Sequence, residues 1–201
     1  MSESIDSPGH ENIKLRFDDK TKYTSMHLSN GAEITGLVLP PELIELNRIV
    51  KTLPDNAAIM EVGSCMGLSS GAMALACLGT ERRLYVLDTF PLGNLAKFDR
   101  GMKALGVNPH IIIYRGDSRT MPIQYPPEKI DMLFIDGDHS IETVRSDSDN
   151  FFPCLKSGGI LALHDHGNQF DGPRMAWDKL IAEGKVKPLN KVLSLMVGIK
   201  Q

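Results

Sequence analysis

The chain has 201 residues, 42% hydrophobic and 23% charged, with a formal net charge of −3. That balance excludes wholesale disorder, and without a long Lys/Arg run it argues against a protein that grips a nucleic-acid backbone. No apolar stretch approaches the about 20 residues of a membrane span, and the polar start MSESIDSPGHENIKLRFDDK lacks a signal peptide's apolar core. The three cysteines, Cys65, Cys77 and Cys154, have no paired spacing. Neither a disulfide framework nor a zinc knuckle is expected, and a reducing cytoplasm is the simplest location.

Residues 1–35 are polar and weakly periodic. They read as a tail or lid, with Ile13, Leu15 and Phe17 alternating as in a short strand. From residue 36 to 201 the chain reads as one domain. Pro40-Pro41 opens a helical pattern of Leu43, Leu46, Val50 and Leu53, ended by Pro54. Residues 57–62 form an apolar strand, and Gly63 to Gly67 a turn. Leu68 to Leu78 read as a helix closed by Gly79. Arg83 to Asp88 is a second strand. Leu95, Phe98, Met102 and Leu105 mark a helix stopped by Gly106. His110–Tyr114 and Ile130–Asp136 are the next strands. Ile141, Val144, Phe151 and Leu155 suggest a helix running to about Leu155, after which Gly158-Gly159 leads into a strand at Ile160–His164. Pro173 suits the first turn of a helix through Ala182, and two short strands follow at Val186–Leu189 and Leu193–Ile199.

Apolar strands alternating with helices imply an α/β fold, a mostly parallel sheet with helices on both faces. Ligands of such sheets bind beyond the carboxyl ends of the strands. Polar residues gather there: Glu61, Asp88, Arg115-Gly116-Asp117, Asp136-Gly137-Asp138-His139 and His164-Asp165-His166.

The first turn reads Glu61-Val62-Gly63-Ser64-Cys65-Met66-Gly67-Leu68-Ser69. It lacks the middle glycine of the dinucleotide fingerprint, which counts against a nicotinamide-dependent oxidoreductase. Glu61 would repel a phosphate but suits a ligand ammonium group. Asp88 can accept both hydroxyls of a ribose, and Asp117-Ser118 could meet an adenine edge. Singly, each residue has a bland role: the glycines in packing, Glu61 in a lysine pair, Asp88 as a helix cap. Together, at successive strand ends, they favour a site. On the next two strands, carboxylates plus an imidazole can hold one divalent cation. The bland alternative is a satisfied buried His164 with acids as strand-end caps. Trp177, the sole tryptophan, reads as core or pocket wall.

The order E-V-G-x-x-x-G-x-S, then L-D, G-D-S, F-I-D-G-D-H and G-G-I-L-A-L-H-D resembles a class I S-adenosylmethionine-dependent methyltransferase over residues 36–200. The nearest branch is the metal-dependent O-methyltransferases of the catechol and caffeoyl-CoA type and the sugar type of macrolide and aminocoumarin pathways. The resemblance implies a Rossmann-like seven-stranded sheet with its last strand antiparallel. It also implies that Glu61, Gly63, Cys65 and Ser69 line the methionine side, with Ser64 and Gly67 in the same turn. Asp88 then takes the ribose, Ser118 with Asp117 lies by the adenine, and Asp136 closes the set. The metal ligands implied are Asp136, His164 and Asp165, holding Mg or Mn. Here His164 replaces the family's usual acid, and Asp117 stands where catechol-type enzymes often have a small residue.

The base is Asp138 by the sugar-type D-x-D pattern or His139 by the catechol-type spacing. An imidazole's pKa near 7 inclines the choice to His139. No N-P-P-Y or D-P-P-Y sequence follows strand four, which disfavours amino-group methylation of bases. The expected function is methyl transfer to a hydroxyl of a small molecule, assisted by a divalent metal. Its expected partner is that acceptor, without nucleic acid or membrane, and with self-association left open. Acceptor specificity would lie in residues 1–35 and 166–174. Two alternatives stay open: an S-adenosylmethionine-binding protein without turnover, and a metal-dependent hydrolase or oxygenase using the His/Asp cluster.

Overall fold

A computed structural model describes residues 3–121, 129–167 and 169–201. The chain divides into two compact units, one of residues 1–56, 64–84 and 90–112, the other of residues 57–63, 85–89 and 113–201.

In the first unit, β1 (Glu3–Ser7), β2 (His10–Phe17), β3 (Thr24–His27) and β4 (Glu33–Gly36) form a four-stranded antiparallel sheet in that order. Ile5, Ile13, Leu15, Met26 and Ile34 are its buried apolar side chains, with Ser7 and Thr24 buried beside them. A strand with one wet face supplies few apolar residues, which is why a region that reads as a tail or lid folds as a meander. Of the alternating trio, Ile13 and Leu15 are buried and Phe17 is exposed at the strand end. Helix α1 (Pro40–Thr52) begins where expected, with the Glu42 carboxylate accepting from the Leu39 N–H at 3.0 Å. Helices α2 (Leu68–Leu75) and α3 (Asn94–Ala104) complete the unit. Buried Arg82 ties its loops together, donating to the carbonyls of Leu53 (2.6 Å), Pro54 (3.1 Å) and Ala76 (2.9 Å).

The seven-stranded sheet comprises β5 (Ala58–Val62), β6 (Arg83–Asp88), β7 (Ile111–Arg115), β8 (Ile130–Ile135), β9 (Leu155–Leu163), β10 (Val186–Val192) and β11 (Leu195–Lys200). Its order is β10-β11-β9-β8-β5-β6-β7. β5–β8 and β8–β9 are parallel pairs, and the last strand, β11, runs antiparallel to β9 and β10. The second unit's core joins Met60, Val62, Leu133, Ile135, Leu161 and Leu163 of the strands to Val144 and Phe151 of α4 (Ile141–Phe151) and Trp177 and Leu180 of α5 (Asp171–Ala182). Trp177 is therefore core.

The helix expected to reach about Leu155 stops at Phe151. Pro153 sits in the 3₁₀ turn that follows, and Leu155 already belongs to β9. Pro153 has no N–H for the helix to use. The Lys200 ammonium takes up the freed carbonyls of Phe152 (2.9 Å), Pro153 (3.3 Å) and Leu155 (2.6 Å). Among the described residues no helix is long and apolar enough to cross a membrane.

Candidate active site

The site follows from register. Val62 pairs with Ile135, and Ile135 with Leu163, so the next residues of the three strands lie abreast. The ladder runs one step past the strands. Asp136 N–H donates to Val62 O (2.8 Å), His164 N–H to Ile135 O (3.1 Å), Gly63 N–H to Leu87 O (2.9 Å) and Gly116 N–H to Asp88 O (3.0 Å). Five strand ends thus present their polar residues along one edge of the second unit. Gly63 has φ +88°, and a Cβ there would collide with the Asp136 carbonyl oxygen and come within 2.5 Å of the Gly137 Cα. Only glycine permits that crossing.

Glu61 is fully buried and Asp88 half-buried at this edge. Asp117 is engaged by Arg119, whose Nη2 lies 2.6 Å from Oδ2 and whose backbone N–H donates to Oδ1 at 2.9 Å. That guanidinium holds the Asp117 carboxyl at about 2. Ser118 is half-buried, its carbonyl accepting from Asn150 Nδ2 at 3.2 Å. The rest of the expected cofactor set, Ser64, Cys65, Gly67 and Ser69, belongs to the first unit. There Ser64 and Ser69 are buried, Cys65 is exposed, and Gly67 opens α2 at φ +94°. A Cβ on Gly67 would come within 2.8 Å of the Phe98 ring.

At the ends of β8 and β9 the second unit gathers Asp136, His139 and Asp165, with one donor atom from each within 4.8 Å of the others. His139 Nε2 lies 2.9 Å from Asp165 Oδ2 and 3.7 Å from Asp136 Oδ1. Those are ion-pair distances, yet this buried nitrogen has no hydrogen bond of good geometry. Asp136 and then Asp165 push the His139 pKa up to about 9. Burial works against the Asp165 carboxylate, but His139 and His164 outweigh it and hold its pKa well below the usual range. Asp165 itself sits at φ +59°, a left-handed backbone uncommon outside glycine and found at functional sites. The His139 ring lies over Phe170, with ring centroids 4.4 Å apart.

His164 stands behind this trio. It is 6% exposed, with Nδ1 3.0 Å from Asp136 Oδ1 and Nε2 3.4 Å from Ser194 Oγ. Asp138 is exposed and accepts from the Ser140 N–H at 2.8 Å, beside the Ser140 hydroxyl that caps α4. The Ser140 hydroxyl, and then its N–H, lower the Asp138 pKa.

Sequence reasoning did not find Phe170, Ser194 or Asp147. Asp147 lies on the buried face of α4 with no hydrogen-bond partner among the described residues, and burial raises its pKa to about 6. Its signal was present: three residues past Val144, an apolar position carries an acid. Ser194 follows a left-handed Leu193 in the β10–β11 turn and has no sequence signature.

A family model described as a methyltransferase domain matches residues 60–166. The chain belongs to that family, with the fold of class I S-adenosylmethionine-dependent methyltransferases. It is 33% identical over 85 residues to an uncharacterized protein of Acanthamoeba polyphaga mimivirus, spanning 38% of that protein's length and 39% of its own. Solved structures that share the fold include the following two. An O-methyltransferase from Bacillus cereus in complex with SAH is 19% identical, with a TM-score of 0.65 over 81% of this chain and 82% of that one. A TDP-rhamnose 3′-O-methyltransferase of calicheamicin biosynthesis is 22% identical, with a TM-score of 0.62 over 78% and 76%.

Proposed function

We propose that this protein transfers a methyl group from S-adenosylmethionine to a hydroxyl of a small molecule, assisted by a divalent cation at the edge formed by Asp136 and Asp165. The observation that carries the reading is the convergence of Asp136, His139 and Asp165 at the ends of two adjacent parallel strands. Two carboxylates and a buried imidazole nitrogen that faces both of them make a donor set suited to such an ion. The cation would supply Lewis acidity, lowering the pKa of the acceptor hydroxyl and orienting it. Support for a hydroxyl acceptor comes from the B. cereus O-methyltransferase and the TDP-rhamnose 3′-O-methyltransferase that share the fold.

The chain's own residues then divide the remaining tasks. Buried Glu61 and half-buried Asp88 suit the cofactor's ammonium group and ribose. Asp117 is already engaged by Arg119, which makes Ser118 the less committed of that pair. With His139 committed to the donor set, Asp138 is the group at the loop left to take the acceptor's proton, in place of the imidazole expected from the sequence. Phe170, stacked on His139, gives this edge an apolar wall. With a net charge of −3 the protein suits a small acceptor better than a nucleic acid.

The test is transfer of a labelled methyl group to catechols, vicinal diols and nucleotide sugars after EDTA treatment, with and without added Mg²⁺ or Mn²⁺. Transfer that needs the cation is expected. S-adenosylhomocysteine binding without transfer to any hydroxyl would favour a binding protein without turnover.

A further inference from the structure

The two histidines at this edge are not equivalent. His164 stands where the family resemblance puts a ligand, yet both its ring nitrogens are engaged. Nδ1 faces the accepting Asp136 carboxylate at 3.0 Å, and Nε2 lies in hydrogen-bond reach of the Ser194 hydroxyl at 3.4 Å. An imidazole engaged on both sides, neutral or protonated, offers no lone pair to an ion. His139 is the converse case: its Nε2 is buried, faces Asp136 and Asp165, and has no hydrogen bond of good geometry. Its ring is fixed by Phe170, and the left-handed backbone at Asp165 accompanies that carboxylate's approach.

We propose that His139, through Nε2, is the nitrogen ligand of the cation site, and that His164 is a positioning residue linking Asp136 to Ser194 of the β10–β11 turn. This rests on the cation-assisted reading above and adds the class of ion. One imidazole in place of a carboxylate removes a charge and hard-oxygen character. Such a site selects a borderline transition ion such as Fe²⁺, Co²⁺ or Zn²⁺ over Mg²⁺. The roles of the two rings also differ in kind. A ligand's loss removes the ion, whereas loss of a group behind a ligand weakens its hold by about 10–100-fold.

The experiment strips the protein with EDTA and titrates it with Co²⁺ or Mg²⁺ by calorimetry, with and without S-adenosylhomocysteine. A parallel sample carries Mn²⁺ for electron spin-echo detection of directly bound ¹⁴N. The wild type is expected to bind Co²⁺ at least about 10-fold tighter than Mg²⁺ and to show nitrogen coupling. His139→Ala should lose the coupling. His139→Asp, which keeps a ligand of the other kind, should lose the coupling and bring Mg²⁺ affinity towards that of Co²⁺. His164→Gln should keep the coupling at reduced affinity. Coupling that survives both His139 variants and vanishes in His164→Gln would overturn the assignment, as would a protein that binds no cation. Failure to bind S-adenosylhomocysteine would sink the methyl-transfer reading alone, because the cation titrations are also run without it.

Discussion

The two ends of β8 and β9 use similar residues for opposite purposes. At the amino end Asp131 pairs with Lys156 at 2.7 Å and accepts from the Ala58 N–H at 2.9 Å. One acid meets one base, the lysine is 44% exposed, and every group is satisfied. At the carboxyl end two acids and an imidazole converge, a buried nitrogen lacks a proper hydrogen bond, and Asp165 takes a left-handed backbone. The first arrangement clamps β5 to β8 and its ion pair contributes little, since water screens the lysine. The second leaves needs unmet within the protein. Unmet pairing beside backbone strain, rather than charge as such, marks the functional end.

If that contrast is right, substitutions at the two ends separate activity from stability. The largest effect is expected from Asp165→Ala. Loss of a ligand to the cation should lower methyl transfer per folded molecule on the order of 10³-fold, far more than the lost pairing with His139 lowers stability, measured by labelled-methyl assay and calorimetry. A fall in stability matching the fall in activity would erase the contrast.

Asp88→Ala sharpens it at a neighbouring strand end. S-adenosylhomocysteine should bind about 1–3 kcal/mol more weakly as a buried pair of ribose hydrogen bonds is lost. Titration calorimetry reads this, and unchanged affinity would remove Asp88 from the site.

Asp147, beneath the same edge, should respond to pH. Its carboxyl is raised by burial from an ordinary value of 3.8 to about 6, so the folded state holds the proton longer than the unfolded one. Its contribution to stability is full below pH 3.8 and is lost as the pH rises through about 6. Asp147→Asn should therefore gain about 1–3 kcal/mol at pH 8 relative to the wild type. The gain should vanish at pH 4 in thermal unfolding. An equal effect at both pH values would mean that the carboxylate is not buried unpaired.

The smallest effect belongs to the amino end. Asp131→Ala should cost about 1–2 kcal/mol of stability and leave methyl transfer per folded molecule unchanged.

Much of the architecture was legible because parallel strands buried on both faces are continuous apolar runs. Arg83–Asp88 is read with the same bounds from sequence as from structure. The meander of residues 3–36 was not, because its strands bury only alternate residues and its apolar run is short. The end of α4 was misjudged because Leu155 continues the helical spacing although Pro153 has already broken the helix. At the site, a strand-end position brought out the acids and both histidines. The partition of work between His139 and His164 was hidden. It depends on Ser194, 30 residues further along the chain, and on the backbone conformation at Asp165.

The central claim is that the carboxyl end of β8 and β9 holds a cation through Asp136, His139 and Asp165. A crystal structure with S-adenosylhomocysteine and Mn²⁺, with anomalous diffraction to locate the ion, tests it most directly. The account predicts an anomalous peak about 2.0–2.3 Å from a carboxylate oxygen of each aspartate and from His139 Nε2, with His164 still bonded to Asp136 and Ser194. Bound S-adenosylhomocysteine with no peak at this edge, or a peak ligated by His164 while His139 points away, would contradict it.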